Sequence, residues 1–139
     1  MEFKTYTKKI KVNGIEVEAK VVVEVHDDDS ELLLDQDFES EQQKTEYESK
    51  VRSGAIFAAY ILVKATSEGL EGSDSLCGCE LVSNNMFNSK PFEDRVNSYL
   101  TDYGMEANAL EELKRSLEGE YARLTKRAEL YKAFSKEGK

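Results

Sequence analysis

The chain carries one histidine, two cysteines and a surplus of carboxylates, and these residue types bound its chemistry. His26 ends an alternating apolar run beside Asp27, Asp28 and Asp29. A nucleophilic triad needs a base held against an activated serine or cysteine, and no hydrolase nucleophile motif accompanies His26. It reads as a satisfied surface residue, so no catalytic residue is assigned and the chain is expected not to be an enzyme. Asp35, Asp37, Glu39, Glu41 and Glu46 have the spacing of calcium-loop ligands. The turn position that needs glycine holds Ser40, however, and the normally apolar position holds Gln42. A solvated acidic segment is the better reading. Cys77-Gly78-Cys79 would place two thiols on one face of a strand, but zinc takes four ligands and only His26 is left to add. Buried, apolar cysteines are expected, with no metal and no cofactor. The run GLEGSDS (69–75) has glycines able to cradle a phosphate. It lacks the lysine and following helix of a nucleotide loop, so a hairpin turn is expected.

Arg123 and Arg127 lie four residues apart, on one face of a helix if the segment is helical, with Lys126 beside them. A guanidinium suits phosphate because its planar fork gives two parallel hydrogen bonds. The plainer reading is a solubilising face paired to Glu118, Glu120 and Glu129. Charge is segregated along the chain. Residues 113–139 hold eight bases and four acids, whereas residues 1–112 hold eleven bases and twenty-four acids, and the net charge is −9. That balance disfavours direct binding to nucleic acid or an anionic membrane.

These residues must be positioned by a single α+β domain spanning 1–139, since 139 residues with 40% apolar content suit one core. Residues 1–90 read as mainly sheet with one surface helix, and 91–139 as a helical hairpin. The order is β-β-α-β-β followed by two helices, with an antiparallel sheet of about four strands. Asn13-Gly14 is a type I′ hairpin signal. It predicts Val12 across from Ile15, Ile10 from Val17, Lys8 from Ala19 and Tyr6 from Val21, with Lys11 facing Glu16 and Lys9 facing Glu18 on the other side. Ile15, Val17, Ala19, Val21, Val23 and Val25 then point inward. Leu32-Leu33-Leu34 reads as a short strand or clamp. A polar helix is expected over about 39–52, ended by Gly54. Strands follow over 55–66 and 76–83. A helix over 92–103 opens at Pro91 with Ser89 as its cap and stops at Gly104. The last helix, about 106–135, has an apolar stripe of Leu110, Leu113, Leu117, Tyr121, Leu124, Ala128 and Tyr131. It is too long for its own sheet, so self-association through residues 106–135 is expected.

The run GLEGSDSLCGCEL (69–81), the polar loop with Phe87 and the helical hairpin ending in arginines resemble the Thoeris anti-defence sponges of phages. That family sequesters cyclic ADP-ribose signals and related cyclic nucleotides without destroying them, between protomers, using an aromatic, an asparagine and arginines. The resemblance implies a ligand site of Phe87, Asn97, Arg123 and Arg127, a homo-oligomer, a small nucleotide ligand and a place in the cytoplasm of a phage's host. Two other classes stay open. One is an acidic DNA mimic that inhibits a host defence protein such as a nuclease, restriction or CRISPR enzyme. The other is a structural or assembly protein with no small ligand. A cytoplasmic location also fits two cysteines too close for an ordinary structural disulfide and the lack of a long apolar stretch.

Overall fold

The structure, a computed structural model, describes residues 1–82 and 90–137. It forms a four-stranded antiparallel meander, β1 (Glu2–Val12), β2 (Ile15–Asp27), β3 (Ile56–Ser67) and β4 (Leu70–Val82), in the order β1-β2-β3-β4. A 3-10 turn (Ser30–Leu34) and helix α1 (Glu41–Ser53) lie between β2 and β3; α2 (Lys90–Asp102) and α3 (Met105–Glu137) follow the sheet.

The first hairpin follows from its turn. Asn13 and Gly14 both take positive φ, 51° and 80°, which lets two strands close over two residues with matching twist. All six cross-strand pairs expected from that turn are present. Val17, Ala19, Val21, Val23 and Val25 are buried, but Ile15 is 56% exposed. The pairing of β2 with β3 begins only at Lys20–Thr66, so the hairpin tip overshoots the sheet and Ile15 has no third strand beside it.

Local hydrogen bonding shapes the acidic connection. The Asp29 carboxylate accepts from the Glu31 amide and starts a 3-10 turn, not a strand, over the three leucines. Only Leu33 of them is buried. Ser40 caps α1 through the Gln43 amide, and Gly54 ends it with a left-handed φ of 79°. No α1 residue is buried, so the helix is a surface element as its composition dictates. It is tied to the sheet by the Tyr47 hydroxyl, which donates to Glu80 Oε2 at 2.6 Å.

The second hairpin turns on Glu68 and Gly69 alone, and Leu70 already belongs to β4. The expected turn over 69–75 is therefore mostly strand. Its second glycine has a different reason. A Cβ on Gly72 would overlap the Ala109 carbonyl oxygen and the Leu113 amide nitrogen, so α3 lies with its backbone directly on β4 there. Three side-chain contacts fix α3 in the same place. Lys4 Nζ meets Glu106 Oε1 at 2.6 Å, Asn108 Nδ2 donates to Asp74 Oδ2 at 2.9 Å, and the Tyr121 hydroxyl lies 3.1 Å from Glu68 Oε2.

The core sits between one sheet face and these two helices. Phe92, Val96 and Leu100 of α2, with Met105, Ala109, Leu110, Leu113 and Leu117 of α3, cover the inward residues of the strands. Beyond Tyr121 the helix has left the sheet. Leu124, Tyr131 and Phe134 are 45%, 76% and 71% exposed. At about 1.5 Å per residue, residues 122–137 extend roughly 24 Å past the body. No helix among the described residues is long and apolar enough to cross a membrane.

Two glycines give opposite expectations. Gly72→Ala should destabilise the domain by about 3 kcal/mol, because backbone atoms of α3 cannot step aside as a side chain would. Gly119→Ala, with open space at its Cβ inside α3, should stabilise it by about 0.5–1 kcal/mol. Urea titrations of the two variants check both signs.

Candidate functional site

Of the four residues singled out as a ligand site, Phe87 lies outside the described residues. Asn97 is exposed on α2 and lines a cleft of about 220 Å³ with Lys4, Thr101, Gly104 and Glu106 at the α2–α3 corner. The ammonium of that cleft is already matched, since Lys4 is paired to Glu106. Burial, with the same carboxylate beside it, pushes the Tyr6 hydroxyl up to about 12. Arg123 is exposed and held by its own helix: Nε and Nη2 donate to the two Glu120 carboxylate oxygens at 3.2 and 2.5 Å. The pair raises the guanidinium above its ordinary value and holds the Glu120 carboxyl below its own. Arg127 is exposed one turn further on, and among the described residues it makes no hydrogen bond or ion pair.

The geometry does not bring these residues together in one chain. Ala107 borders the Asn97 cleft, and Arg123 lies on the same helix about 24 Å further along its axis. Arg127 is about 6 Å beyond that. A straight helix cannot fold the two ends around one small molecule, so a site using Asn97 and the arginines has to be built from two chains.

The other sequence candidates resolve locally. His26 Nε2 lies 3.3 Å from Glu24 Oε2 on the open sheet face, with the Tyr60 ring beside it. The segment 35–46 is not a loop: Ser40 caps α1, and Glu41 and Glu46 are already helical. Among the described residues no group of three or more histidine, cysteine or acidic side chains is arranged to hold a metal. Cys77 and Cys79 do not share a face. A bulge in β4 pairs Ala59 with Cys79 but Ile61 with Leu76, with Gly78 at φ 66° and its amide donating to Asp28 Oδ2 at 3.1 Å. The extra residue rotates Cys77 outward, exposed, while Cys79 is buried.

One concave surface escaped the sequence reading. Between edge strand β1 and the first half of α3 lies a cleft of about 320 Å³, lined by Lys8, Ile10, Lys11, Ala107, Leu110, Glu111 and Lys114. It shares Ala107 with the Asn97 cleft, so the two run on along the same flank of α3. The signal was Lys8 itself. It stands across from Ala19 on the inward face of the hairpin, where alternation calls for an apolar side chain.

The thiols give a direct check on the β4 bulge. Burial pushes the Cys79 thiol up to about 11, and reaction requires thiolate. Alkylation of the native protein at mildly alkaline pH should label Cys77 and spare Cys79 until denaturant is added, read by peptide mass mapping.

No protein-family model matches the chain, and neither a curated protein nor a solved structure matches it.

Proposed function

We propose that the protein is a non-enzymatic binding protein that works as a homo-oligomer, with the projecting half of α3 as its assembly element and a small phosphorylated ligand sequestered where copies meet. One observation carries the reading. The apolar stripe that buries Leu110, Leu113 and Leu117 against the sheet continues through Leu124 and Tyr131, joined by Phe134, where this chain offers nothing to cover it. Isolated exposed apolar residues need no explanation, but a stripe in register with the core-facing side of the same helix does. The occupant is a second copy. The segment 113–139 is net +4 on a chain whose remainder is net −13. A two-fold arrangement in which each projecting end reaches across the other's body satisfies both the stripe and the charge. Residues 106–121 are occupied by their own sheet, so the assembly element is narrower than the stripe itself.

The ligand part of the proposal rests on Arg127, whose donors are free among the described residues. Arg123 would have to leave Glu120 to contribute. The acidic segment supports the inhibitor reading as the second choice: Asp35, Asp37, Glu39 and Glu41 are exposed and, among the described residues, in no ion pair.

Light scattering should give at least twice the 15.8 kDa chain mass. Leu124→Glu with Tyr131→Glu should return 15.8 kDa with an unchanged melting transition, whereas Leu117→Glu, at a position 1% exposed, should unfold the body. A wild-type mass of one chain at every accessible concentration would reject the assembly. In calorimetry against cyclic ADP-ribose, Arg127→Ala should lower affinity by about tenfold and Arg123→Ala by less.

A further inference from the structure

We infer that the cleft between β1 and α3 is a binding site for a small organic phosphate, with Lys8, Lys11 and Lys114 holding the phosphate and Ile10 and Leu110 forming the floor under its apolar or aromatic body. This site lies within one protomer and does not depend on the assembly proposed above.

The charge distribution carries the argument. Acids outnumber bases by nine in this chain, so a cation without a carboxylate is the exception to be explained. Lys4, Lys64, Arg52, Arg115 and Arg123 each pair with a carboxylate, namely Glu106, Glu24, Glu48, Glu111 and Glu120. Lys8, Lys11 and Lys114 make no ion pair or hydrogen bond among the described residues, although they converge on one cleft from two elements. The carboxylate that lines the same cleft, Glu111, is engaged by Arg115 at 3.6 Å.

Lysines on an edge strand also guard against strand addition, and Lys9 on the opposite face serves that purpose. Guarding an edge does not explain Lys8, which occupies a core-face position of the hairpin. Nor does it explain Lys114, which comes from a helix. A residue that breaks the binary pattern without a structural partner marks a site.

The chemistry then selects the ligand. A phosphate monoester carries close to two negative charges and three strong acceptor oxygens at neutral pH, a match for three ammonium groups. Lysine binds phosphate as a point charge without the fixed fork of arginine, which suits side chains reaching in from separate elements. Ile10 is half-buried and Leu110 buried, so the floor is firm and apolar. The volume of about 320 Å³ is at the lower end of ligand pockets, the size of a mononucleotide and not of a polymer.

The test is calorimetry of the full-length protein at low salt with adenosine 5′-monophosphate, inorganic phosphate and adenosine as separate probes. The monophosphate should bind, phosphate should bind more weakly, and adenosine should not register. Lys8→Ala and Lys114→Ala should each weaken the monophosphate by about tenfold, while Lys126→Ala, the same charge change on the projecting helix, should leave it unaltered. Ile10→Ser should weaken the monophosphate and leave inorganic phosphate as it was. Leu124→Glu with Tyr131→Glu should bind as the wild type does. If binding disappears with that monomerising pair, the ligand belongs to the interface and the cleft is not its site. Failure of the monophosphate to bind folded protein, equal losses from Lys126→Ala, or preference for an acidic peptide over any phosphate would each overturn the inference.

Discussion

The backbone contact between α3 and Gly72 of β4 is the constraint on which the remaining arrangement turns. At Gly72 a side chain would overlap two backbone atoms of the helix, so the helix comes closer to the sheet than any other residue would let it. That approach seats α3 on β3 and β4, the strands it packs against most. Two consequences follow. The face of β1 is left only partly covered, which opens the lysine-lined cleft along the other flank of the helix. The helix also runs off the sheet after Tyr121, where its last contact is the Glu68 turn. The vacant flank and the projecting end are thus products of one close approach.

Much of the fold was legible because local and cross-strand rules agreed. Asn13-Gly14 fixed a turn, the turn fixed a register, and the register placed lysines opposite glutamates and valines opposite apolar partners. Helix ends were legible for the same reason: Ser40, Gly54 and Gly104 are where backbone geometry demanded them. The misreadings share a cause. Gly72 looked like turn chemistry because sequence reading weighs neighbours along the chain, whereas the residue that required glycine there is nearly forty positions away. Cys77 and Cys79 obeyed strict alternation on paper, but the bulge at Gly78 added one residue to the count. Leu32-Leu33-Leu34 was captured by the Asp29 cap before it could extend.

The candidate site was less legible than the fold. Arg123 and Arg127 were recognised as a pair by spacing, but spacing does not reveal that Glu120 already occupies one of them. Asn97 and the arginines were joined through resemblance, and the straight path of α3 separates them within a chain. The three lysines of the β1–α3 cleft were individually unremarkable. They become a set only when a strand near the N-terminus and a helix near the C-terminus are laid side by side. A lysine at an inward strand position was the trace of this in the sequence, and binary patterning alone was enough to notice it.

The central claim is that α3 divides its labour: its first half completes one core and its second half waits for another chain. Hydrogen exchange of the intact protein at low and high concentration tests this directly, because protected amides report burial and packing segment by segment. The account predicts slow exchange over residues 105–121 at both concentrations, and over residues 122–134 an exchange rate that falls as concentration rises. Rapid exchange over 122–134 that is indifferent to concentration would contradict it.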